Sequence, residues 1–246
     1  AANTDRDSYY GPGNDPLKAY GKTTDLTAMG GAQYVHTFDK CFFMPSDLTA
    51  GLEYNRDRLK DNMWGYNRHT DQTVNIYSAF LQNEWKNDRW GILIGGRLDK
   101  HNMVDNVIFS PRANLRFNPT QNINLRLSYS SGFRAPQAFD EDMHIENVGG
   151  TVAMIERAKD LKEEKSQSFS VSADMYHRFG AFQTNLLIEG FYTRLTDVFV
   201  LGKPYDRGDG ILVKTRSNGP GAKVMGLTLE GKVAYLSILQ IQAGLT

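Results

Sequence analysis

The stretch that decides the fold is "NINLRLSYSSGFRAPQAFDED", residues 122–142. Its first half alternates apolar Leu125, Leu127 and Tyr129 with polar Asn124, Arg126, Ser128 and Ser130. A period of two residues is that of a β-strand with unlike faces. The alternation stops at Arg134-Ala135-Pro136, where an acidic segment begins. The leucines therefore face either the core of a soluble sheet or the lipid around a membrane barrel.

The composition narrows the classes of protein. The 246 residues include 28 basic and 28 acidic side chains, so no overall field favours nucleic acid. No window approaches the roughly 18 consecutive apolar residues of a membrane-spanning helix. This excludes a helical membrane protein. It leaves a β-barrel open, because alternating strands give a weak hydropathy signal.

Similar alternation recurs along the whole chain and predicts about ten strands. Clear examples are "QSFSVSADMY" (167–176), "GLTLEGKVAY" (226–235) and "LQIQAGLT" (239–246), whereas the faces of 181–200 stay unassigned. The predicted strands are 28–38, 46–58, 71–87, 89–100, 106–118, 122–135, 164–178, 181–200, 211–236 and 239–246.

The connections between these strands alternate in length. Long or medium connections are predicted at 1–27, 59–70, 101–105, 136–163 and 201–210. Short ones are predicted at 39–45, Asn87-Asp88, 119–121, Gly180 and 237–238. Outer-membrane barrels have short periplasmic turns and long outer loops. The pattern therefore favours an antiparallel up-and-down transmembrane β-barrel, of which this chain is a part.

Aromatic residues flank the short connections. They are Phe42, Phe43, Trp85, Trp90, Phe117, Phe179, Phe182 and Tyr235. Such placement is typical of an aromatic girdle at one membrane interface. The alternative is that aromatic residues are simply common in strands.

One stretch inside a long connection has a helical pattern. In "TVAMIERAKDLKEEKS" (151–166), Met154, Ile155, Ala158 and Leu161 share one helical stripe. We expect a short helix in an outer loop, with a helix of a separate soluble domain as the alternative.

Several landmarks together resemble the barrel of TonB-dependent outer-membrane receptors. A strand–turn–strand ends in Phe-Arg-Ala-Pro (133–136), and Leu-Lys-Glu-Glu-Lys-Ser (161–166) opens the next strand. "FYTRLTDVFV" (191–200), "RSNGPGAKVMGLTLEG" (216–231), "AFLQNEW" (79–85) and "GGRLDKH" (95–101) resemble further family landmarks. They occur in the family's order, in a style closest to receptors of Bacteroidetes.

The resemblance implies a barrel of about 22 strands around an N-terminal plug domain. It also implies uptake of an iron chelate, haem, cobalamin or a glycan, driven by the inner-membrane TonB complex. No plug or TonB-contact segment is found, and "QIQAGLT" ends within a strand. Residues 1–246 are therefore expected to be an internal fragment that lacks the plug and the last strands. A complete ten-strand barrel is the alternative.

Two acidic clusters are candidates for metal chemistry. Asp5, Asp7 and Asp15 lie in a Gly- and Pro-rich segment, where they either ligate Ca²⁺ or serve turn formation and solvation. A second cluster is expected to be a solvated outer surface rather than a metal site; it comprises Asp140, Glu141, Asp142 and His144.

No other side chains form a catalytic or cofactor pattern. Arg134 either reaches a ligand or the plug, or only marks where Pro136 ends the strand. Cys41, beside two phenylalanines, is expected to be a small apolar residue. The histidines have no metal-ligand spacing; they are His36, His69, His101, His144 and His177. We predict no enzyme activity, cofactor or metal, and no ligand-binding residue is assigned.

The resulting expectation is a TonB-dependent nutrient receptor in the bacterial outer membrane. Its expected partners are the lipid bilayer, the TonB complex through an absent plug, and a small-molecule or glycan ligand, but not nucleic acid. A small passive porin-like or adhesin barrel is the alternative, and a soluble β-rich binding module is a third possibility.

Overall fold

The computed structural model describes residues 1–9, 20–64, 68–138, 146–148, 151–208, 212–236 and 238–246. These residues form sixteen strands and no α-helix. The strands are β1 (Ala2–Tyr9), β2 (Tyr20–Cys41), β3 (Met44–Met63), β4 (Arg68–Lys86), β5 (Trp90–His101), β6 (Ile108–Thr120), β7 (Ile123–Arg134), β8 (Glu146–Val148), β9 (Thr151–Arg157), β10 (Glu164–Phe179), β11 (Phe182–Thr196), β12 (Phe199–Leu201), β13 (Tyr205–Asp206), β14 (Leu212–Asn218), β15 (Ala222–Tyr235) and β16 (Leu239–Leu245).

Eleven of the strands form one antiparallel sheet in the order β1-β2-β3-β4-β5-β6-β7-β10-β11-β15-β16. The remaining strands form a small outer sheet, ordered β12-β14-β9-β8, with β13 also paired to β14. β1 pairs only with the upper part of β2, from Tyr20 to Thr27. Ten strands therefore make the wall below that level. The prediction of an all-β, antiparallel, partial barrel of about ten strands is confirmed.

The register separates the wall into two unlike faces. Leu127 lies opposite Leu115 on β6 and Val171 on β10, while Ser128 lies opposite Ser170 and donates to or accepts from its hydroxyl at 2.6 Å. Lys100 on β5 lies opposite Tyr77, in the row of Tyr54. Below that row, the face that carries Leu127 has no Asp, Glu, Lys or Arg on any of the ten strands, from the row of Leu52 and Phe169 down to that of Trp85 and Phe179. Such a face can contact lipid without placing a charge in hydrocarbon. The face that carries Leu127 is therefore the outward face.

Two aromatic girdles bound this apolar band. The upper one includes the ring pairs Tyr54–Tyr77 and Tyr129–Phe169, at centroid distances of 4.9 and 4.7 Å. The lower one includes Phe43–Trp85, Trp90–Phe117 and Phe182–Tyr235, at 5.7, 4.2 and 4.9 Å. Ten residues separate Phe169 from Phe179 on β10. At roughly 3.3 Å per residue and a tilt of about 40°, that gives about 25 Å, the height of a membrane barrel's apolar band.

The lower connections are as short as predicted. They are Phe42-Phe43, 87–89, 121–122, 180–181 and 236–238. Phe42 has φ of 64° and Gly180 has φ of 56°, the left-handed backbone that two-residue hairpin turns require. The side with these turns is the periplasmic side, because outer-membrane barrels keep their short turns there.

Two of the predicted long connections are wrong, because strands continue into them. β2 and β3 pair from Gly21–Met63 downwards, and β3 and β4 pair up to Met63–Arg68. Within the predicted connections 1–27 and 59–70, residues 2–9, 20–27, 59–63 and 68–70 thus form ladders that rise above the upper girdle. These strand segments were not predicted from the sequence, because they are polar and a strand's alternation is recognised from its apolar residues.

The predicted helix at 151–166 is also wrong. Residues Thr151–Arg157 form β9, and a turn follows at 159–160. β9 lies parallel to β14, and Met154 is buried opposite Val213. This pairing overrides a helical preference that is worth only tenths of a kcal/mol per residue. The predicted strand 211–236 likewise divides into β14, in the outer sheet, and β15, in the wall.

No second layer of the described residues covers the outward leucines. Leu125, Leu127, Phe169 and Leu229 are 38%, 51%, 46% and 45% exposed. A soluble sandwich would bury these side chains in its core. No helix among the described residues is long and apolar enough to cross a membrane.

Candidate functional site

The buried core lies at the outer mouth, on the inward face of the upper wall. The outer connections fold over this face and shield side chains from β2 to β5. The shielded residues are Thr23, Leu59, Asp61, Met63, Gln72, Val74 and His101, all at most 7% exposed. This region has two layers, unlike the single-layer wall below it.

One buried carboxylate joins three strands of the mouth. Asp61 on β3 accepts hydrogen bonds from Thr23 Oγ1 on β2 and from Arg68 Nη2 on β4, both at 2.7 Å. A buried carboxylate is stable only when it is paired and hydrogen-bonded. The ladders above the girdle are therefore held by a specific polar contact.

Gln72 connects the wall to the connection that follows β7. Its Oε1 accepts hydrogen bonds from the Ala138 amide and from Arg157 Nη1, both at 2.8 Å. Arg157 also donates to the Pro136 carbonyl at 3.1 Å. This one amide thus fixes both the start of the outer connection and the end of β9.

His101 ends β5 and is fully buried. The Met103 amide donates to its Nδ1 at 3.0 Å, so the remaining ring proton sits on Nε2, which lies 3.2 Å from Gln137 Oε1. Burial lowers the pKa of this imidazole below its ordinary value. The histidine is therefore a neutral structural group at the mouth.

The small outer sheet ties the two longest outer connections together. Its central pair is parallel, from Leu212–Ala153 to Arg216–Arg157. Asn218 closes the lower end: its Oδ1 accepts from the Lys162 amide at 2.8 Å, and its Nδ2 donates to the carbonyls of Lys162 and Asp197 at 3.0 and 2.7 Å.

A cavity of about 610 Å³ lies between this sheet and the upper wall. Among the described lining residues, the charged side chains are mainly basic: Arg68, Arg157, Lys159 and Arg207, with Glu156 as the acidic one. Arg68 is paired with Asp61, and Glu156 lies 3.9 Å from Arg207. Because the described basic side chains outnumber the acidic ones, this lining attracts negatively charged groups.

A second polar cluster lines the lumen just below the upper girdle. Arg97 donates to Glu53 Oε1 at 2.9 Å, to Asp99 Oδ1 at 2.8 Å and to Ser78 Oγ at 2.7 Å. Ser78 in turn donates to Asp99 at 2.6 Å. The cluster links β3, β4 and β5 and belongs to the wall rather than to the mouth cavity.

The predicted candidate residues do not meet at one site. Arg134 ends β7 with its guanidinium 5.6 Å above the Phe199 ring. Asp5 and Asp7 lie on β1, where Asp5 accepts from Thr24 Oγ1 at 2.9 Å. The remaining candidates lie outside the described residues; they are Asp15, Asp140, Glu141, Asp142 and His144. No metal-binding group of three or more ligand side chains occurs in the described part of the chain.

Cys41 and the described histidines occupy separate places. The Cys41 carbonyl accepts the Trp85 indole N–H at 3.0 Å in the lower girdle. His36 packs edge-on against Phe38, and His177 packs at a tilt against Phe179. His69 contacts Asn62 on the upper ladder. These side chains therefore do not lie together at one site.

The sequence did not single out the residues that form the cavity. Arg157 and Lys159 lie in the stretch predicted as a helix, and Arg207 lies in the predicted connection 201–210. Nothing in the sequence shows that two segments about 60 residues apart form one sheet, because pairing between distant segments has no local pattern.

Comparison with known proteins agrees with this architecture. The family model described as "TonB dependent receptor-like, beta-barrel" matches residues 1–246. A probable hemoglobin and hemoglobin-haptoglobin-binding protein of Haemophilus influenzae is 23% identical over 206 residues, which are 82% of this chain and 18% of that protein.

Solved structures share the fold at low identity. The siderophore receptor PirA of Pseudomonas aeruginosa matches with a TM-score of 0.69 and 15% identity, over 92% of this chain and 48% of that one. The ferric enterobactin receptor PfeA matches with a TM-score of 0.71 and 19% identity, over 99% and 40%. The chain therefore spans less than half the length of these receptors.

The wall has an uncharged outward band, two aromatic girdles and short connections on one side, which are the features of an outer-membrane barrel. The family match extends over every residue. The chain belongs to the TonB-dependent receptor β-barrel family, whose members lie in the outer membrane of Gram-negative bacteria.

Proposed function

We propose that this chain forms part of the wall and outer mouth of a receptor for a scarce nutrient. In the proposed mechanism the ligand binds at the outer mouth, and the inner-membrane TonB complex supplies the energy for its passage through the lumen. The observation that carries this proposal is the basic cavity of about 610 Å³ at the outer end of a TonB-dependent receptor barrel.

The charge of the cavity favours anionic ligands. A ferric chelate with carboxylate or catecholate groups, or haem with its two propionates, would be attracted to Arg157, Lys159 and Arg207. A neutral glycan would gain nothing from them. The relatives are described as receptors for siderophores, ferric enterobactin or hemoglobin, which supports the same choice.

We further propose that residues 1–246 are an internal part of a longer barrel. A sheet edge exposed to hydrocarbon leaves backbone groups without hydrogen bonds, so a spanning sheet must close. Among the described residues of this sheet, β16 pairs only with β15, and below β1 the strand β2 pairs only with β3. Further strands would close the barrel. A plug inside the lumen would provide the contact with TonB.

The test uses the full-length receptor in a Gram-negative host that lacks its own receptors for the probes. Uptake of radiolabelled ferric enterobactin, haem and cyanocobalamin is measured with and without a working TonB complex. We expect uptake of one of the two anionic probes, and loss of that uptake without TonB. Uptake that continues without TonB would indicate the passive porin-like alternative.

A variant pair connects uptake to the cavity. Lys159→Glu reverses one charge of the cavity lining, whereas Lys203→Glu reverses an exposed charge outside the lining. We expect Lys159→Glu to weaken binding of the transported anion by about tenfold, and Lys203→Glu to leave it unchanged. Equal effects of the two substitutions would contradict a role for the cavity.

A further inference from the structure

Two arginines of the cavity lining are held in different ways. Arg68 on β4 donates to Asp61 Oδ2 at 2.7 Å, and its side chain is only 11% exposed. Arg157 at the end of β9 is exposed, and its Nη1 donates to two neutral oxygen atoms. These are Gln72 Oε1 at 2.8 Å and the Pro136 carbonyl at 3.1 Å. A carboxylate thus holds the more buried arginine, whereas a neutral amide helps to hold the exposed one.

Gln72 is itself almost fully buried. It lies on the inward face of β4 at 7% exposure, so an anion in the cavity would contact Arg157 and hardly Gln72. Its Oε1 also accepts the Ala138 amide at 2.8 Å, and its Nε2 lies 3.4 Å from the Ala138 carbonyl. Gln72 can therefore affect a ligand only through the groups that it holds in place.

An amide at this place gives up stability that a carboxylate would provide. A carboxylate could accept the same two N–H groups, and its charge-assisted bond to Arg157 would be stronger than a bond to a neutral oxygen. The Asp61–Arg68 pair shows that the mouth contains such a bond elsewhere. A carboxylate would also place a negative charge beside the cavity. An amide oxygen orients a guanidinium and adds no charge.

The orientation of Arg157 matters for affinity as well as for structure. A long arginine side chain loses rotational freedom when it binds an anion, and this loss weakens binding. Gln72 and Pro136 already fix one end of the guanidinium from two separate segments of the chain. Part of the ordering is thus complete before a ligand arrives.

We propose that Gln72 is a positioning residue for anion binding, which fixes the guanidinium of Arg157 at the cavity wall without reducing the positive charge of the lining. The inference rests on the proposed binding of an anionic nutrient in this cavity. It adds a buried residue that sets the affinity without contacting the ligand. The ligand class is one with carboxylate, catecholate or phosphate groups, which an oriented guanidinium binds well.

The deciding variant is Gln72→Glu in the full-length receptor, held in phosphatidylcholine nanodiscs. Isothermal titration calorimetry gives the affinities for ferric enterobactin, haem and pyrophosphate, the last being a small polyanion that probes the charge of the cavity. The guanidinium of Arg157 keeps the new carboxylate ionised, so it still accepts from the Ala138 amide.

We expect Gln72→Glu to retain the protection of the Ala138 amide against hydrogen exchange. The affinity for each anion that the wild type binds should nevertheless fall about tenfold, and its dependence on salt concentration should become weaker. A purely structural role of Gln72 would change neither the affinity nor the salt dependence. Wild-type affinity in a Gln72→Glu variant that keeps Ala138 protected would therefore overturn the proposal.

The matched control is Gln82→Glu. Gln82 lies on the same inward face of β4, ten positions lower, and outside the cavity lining. The substitution adds the same negative charge far from Arg157, so the affinities should change by less than about twofold. An equal loss in the two variants would indicate a general effect of charge and would also overturn the proposal.

A second measurement separates position from charge. Gln72→Leu keeps the side chain's approximate volume but removes the acceptor, so it should weaken anion binding by about fivefold. In an Arg157→Gln background the same substitution should cause no further loss, because Gln72 acts through Arg157. Additive losses would contradict this. Gln72→Asn, whose amide is too short to reach Arg157, replaces Gln72→Leu if that variant does not fold.

The three anions keep this inference distinct from the proposed function. If the wild type binds pyrophosphate but neither ferric enterobactin nor haem, then the proposed anionic nutrient is wrong, and the pyrophosphate series alone decides the role of Gln72. If the wild type binds none of the three, both proposals are wrong.

Discussion

The membrane band and the outer mouth are stabilised in different ways, although the same strands run through both. In the band the wall is one sheet thick, and its apolar residues, such as Leu127, face lipid. At the mouth a second sheet covers the wall, and Met63, Met154 and Val213 are almost fully buried. In the band, lipid hydrocarbon surrounds the outward apolar side chains, so no protein core is needed there. Above it, where water surrounds the chain, the protein must supply the second layer itself.

The largest expected effect tests the core at the mouth. Met63→Ala removes a buried side chain and should lower the free energy of unfolding of the mouth by about 2–5 kcal/mol. Met29 lies on the inward face of β2 at 70% exposure. Met29→Ala should therefore change the free energy of unfolding by about 0.5 kcal/mol or less. Native-state hydrogen exchange of the β2–β4 amides measures both. Equal effects would mean that the mouth has no core.

The next effect tests the two faces of the band. Leu127→Arg places a charge in hydrocarbon and should cost about 2–4 kcal/mol, whereas Ser128→Arg points into the lumen and should be nearly neutral. Reversible folding of the full barrel into lipid bilayers, followed by urea titration, gives both values. Strong destabilisation by both substitutions would indicate a sandwich core instead of lipid.

A smaller effect tests the connection between the outer loops. Asn218→Ala removes three hydrogen bonds to backbone groups and should destabilise the outer sheet by about 1–3 kcal/mol. Limited proteolysis of 158–163 should become faster. Ser217→Ala, one position earlier on β14, is the control and should leave the cleavage rate unchanged. A normal rate in Asn218→Ala would show that the backbone pairing of β9 and β14 is sufficient.

The smallest effect depends on pH. Because burial lowers the pKa of His101, the unfolded chain binds this proton more readily than the folded chain. The stability that neutral His101 provides is complete above the ordinary value of 6.5 and is lost as pH falls through the lower folded pKa. The protection factor of the Met103 amide, which is its exchange rate relative to the intrinsic rate at the same pH, should therefore decrease as the pH falls below 6.5.

The variant His101→Asn should remove this pH dependence, and His69→Asn, at an exposed position, should retain it. If wild type and His101→Asn respond equally to pH, then another group controls the opening of the mouth.

The contrast between the two regions also explains what the sequence could predict. In the band, lipid and lumen impose opposite requirements on alternate residues, so the faces of β7, β10 and β15 follow from local alternation. The lower girdle and the short turns could also be predicted, because aromatic residues flank the breaks between the alternating segments. At the mouth, by contrast, a strand can be polar on its outward face and buried on its inward one. Asp61 and Gln72 look like loop residues until their partners on other segments are known.

The cavity was the least predictable feature. Its lining combines β9, β4 and the connection after β13, and only the parallel pairing of β9 with β14 brings these segments together. Helical propensity in 151–166 gave the opposite prediction. A weak local preference was overruled there by contacts with residues about 60 positions later in the sequence.

The tight hairpins of the lower rim limit the routes by which the outer mouth could be coupled to the periplasmic side. With only two or three residues between successive strands, the rim is flush with the membrane surface and offers no projecting arm for a periplasmic protein to grip. Along this part of the wall, a change at the outer mouth could therefore reach the periplasmic side through the strands or along the lumen, but not through an extended periplasmic loop.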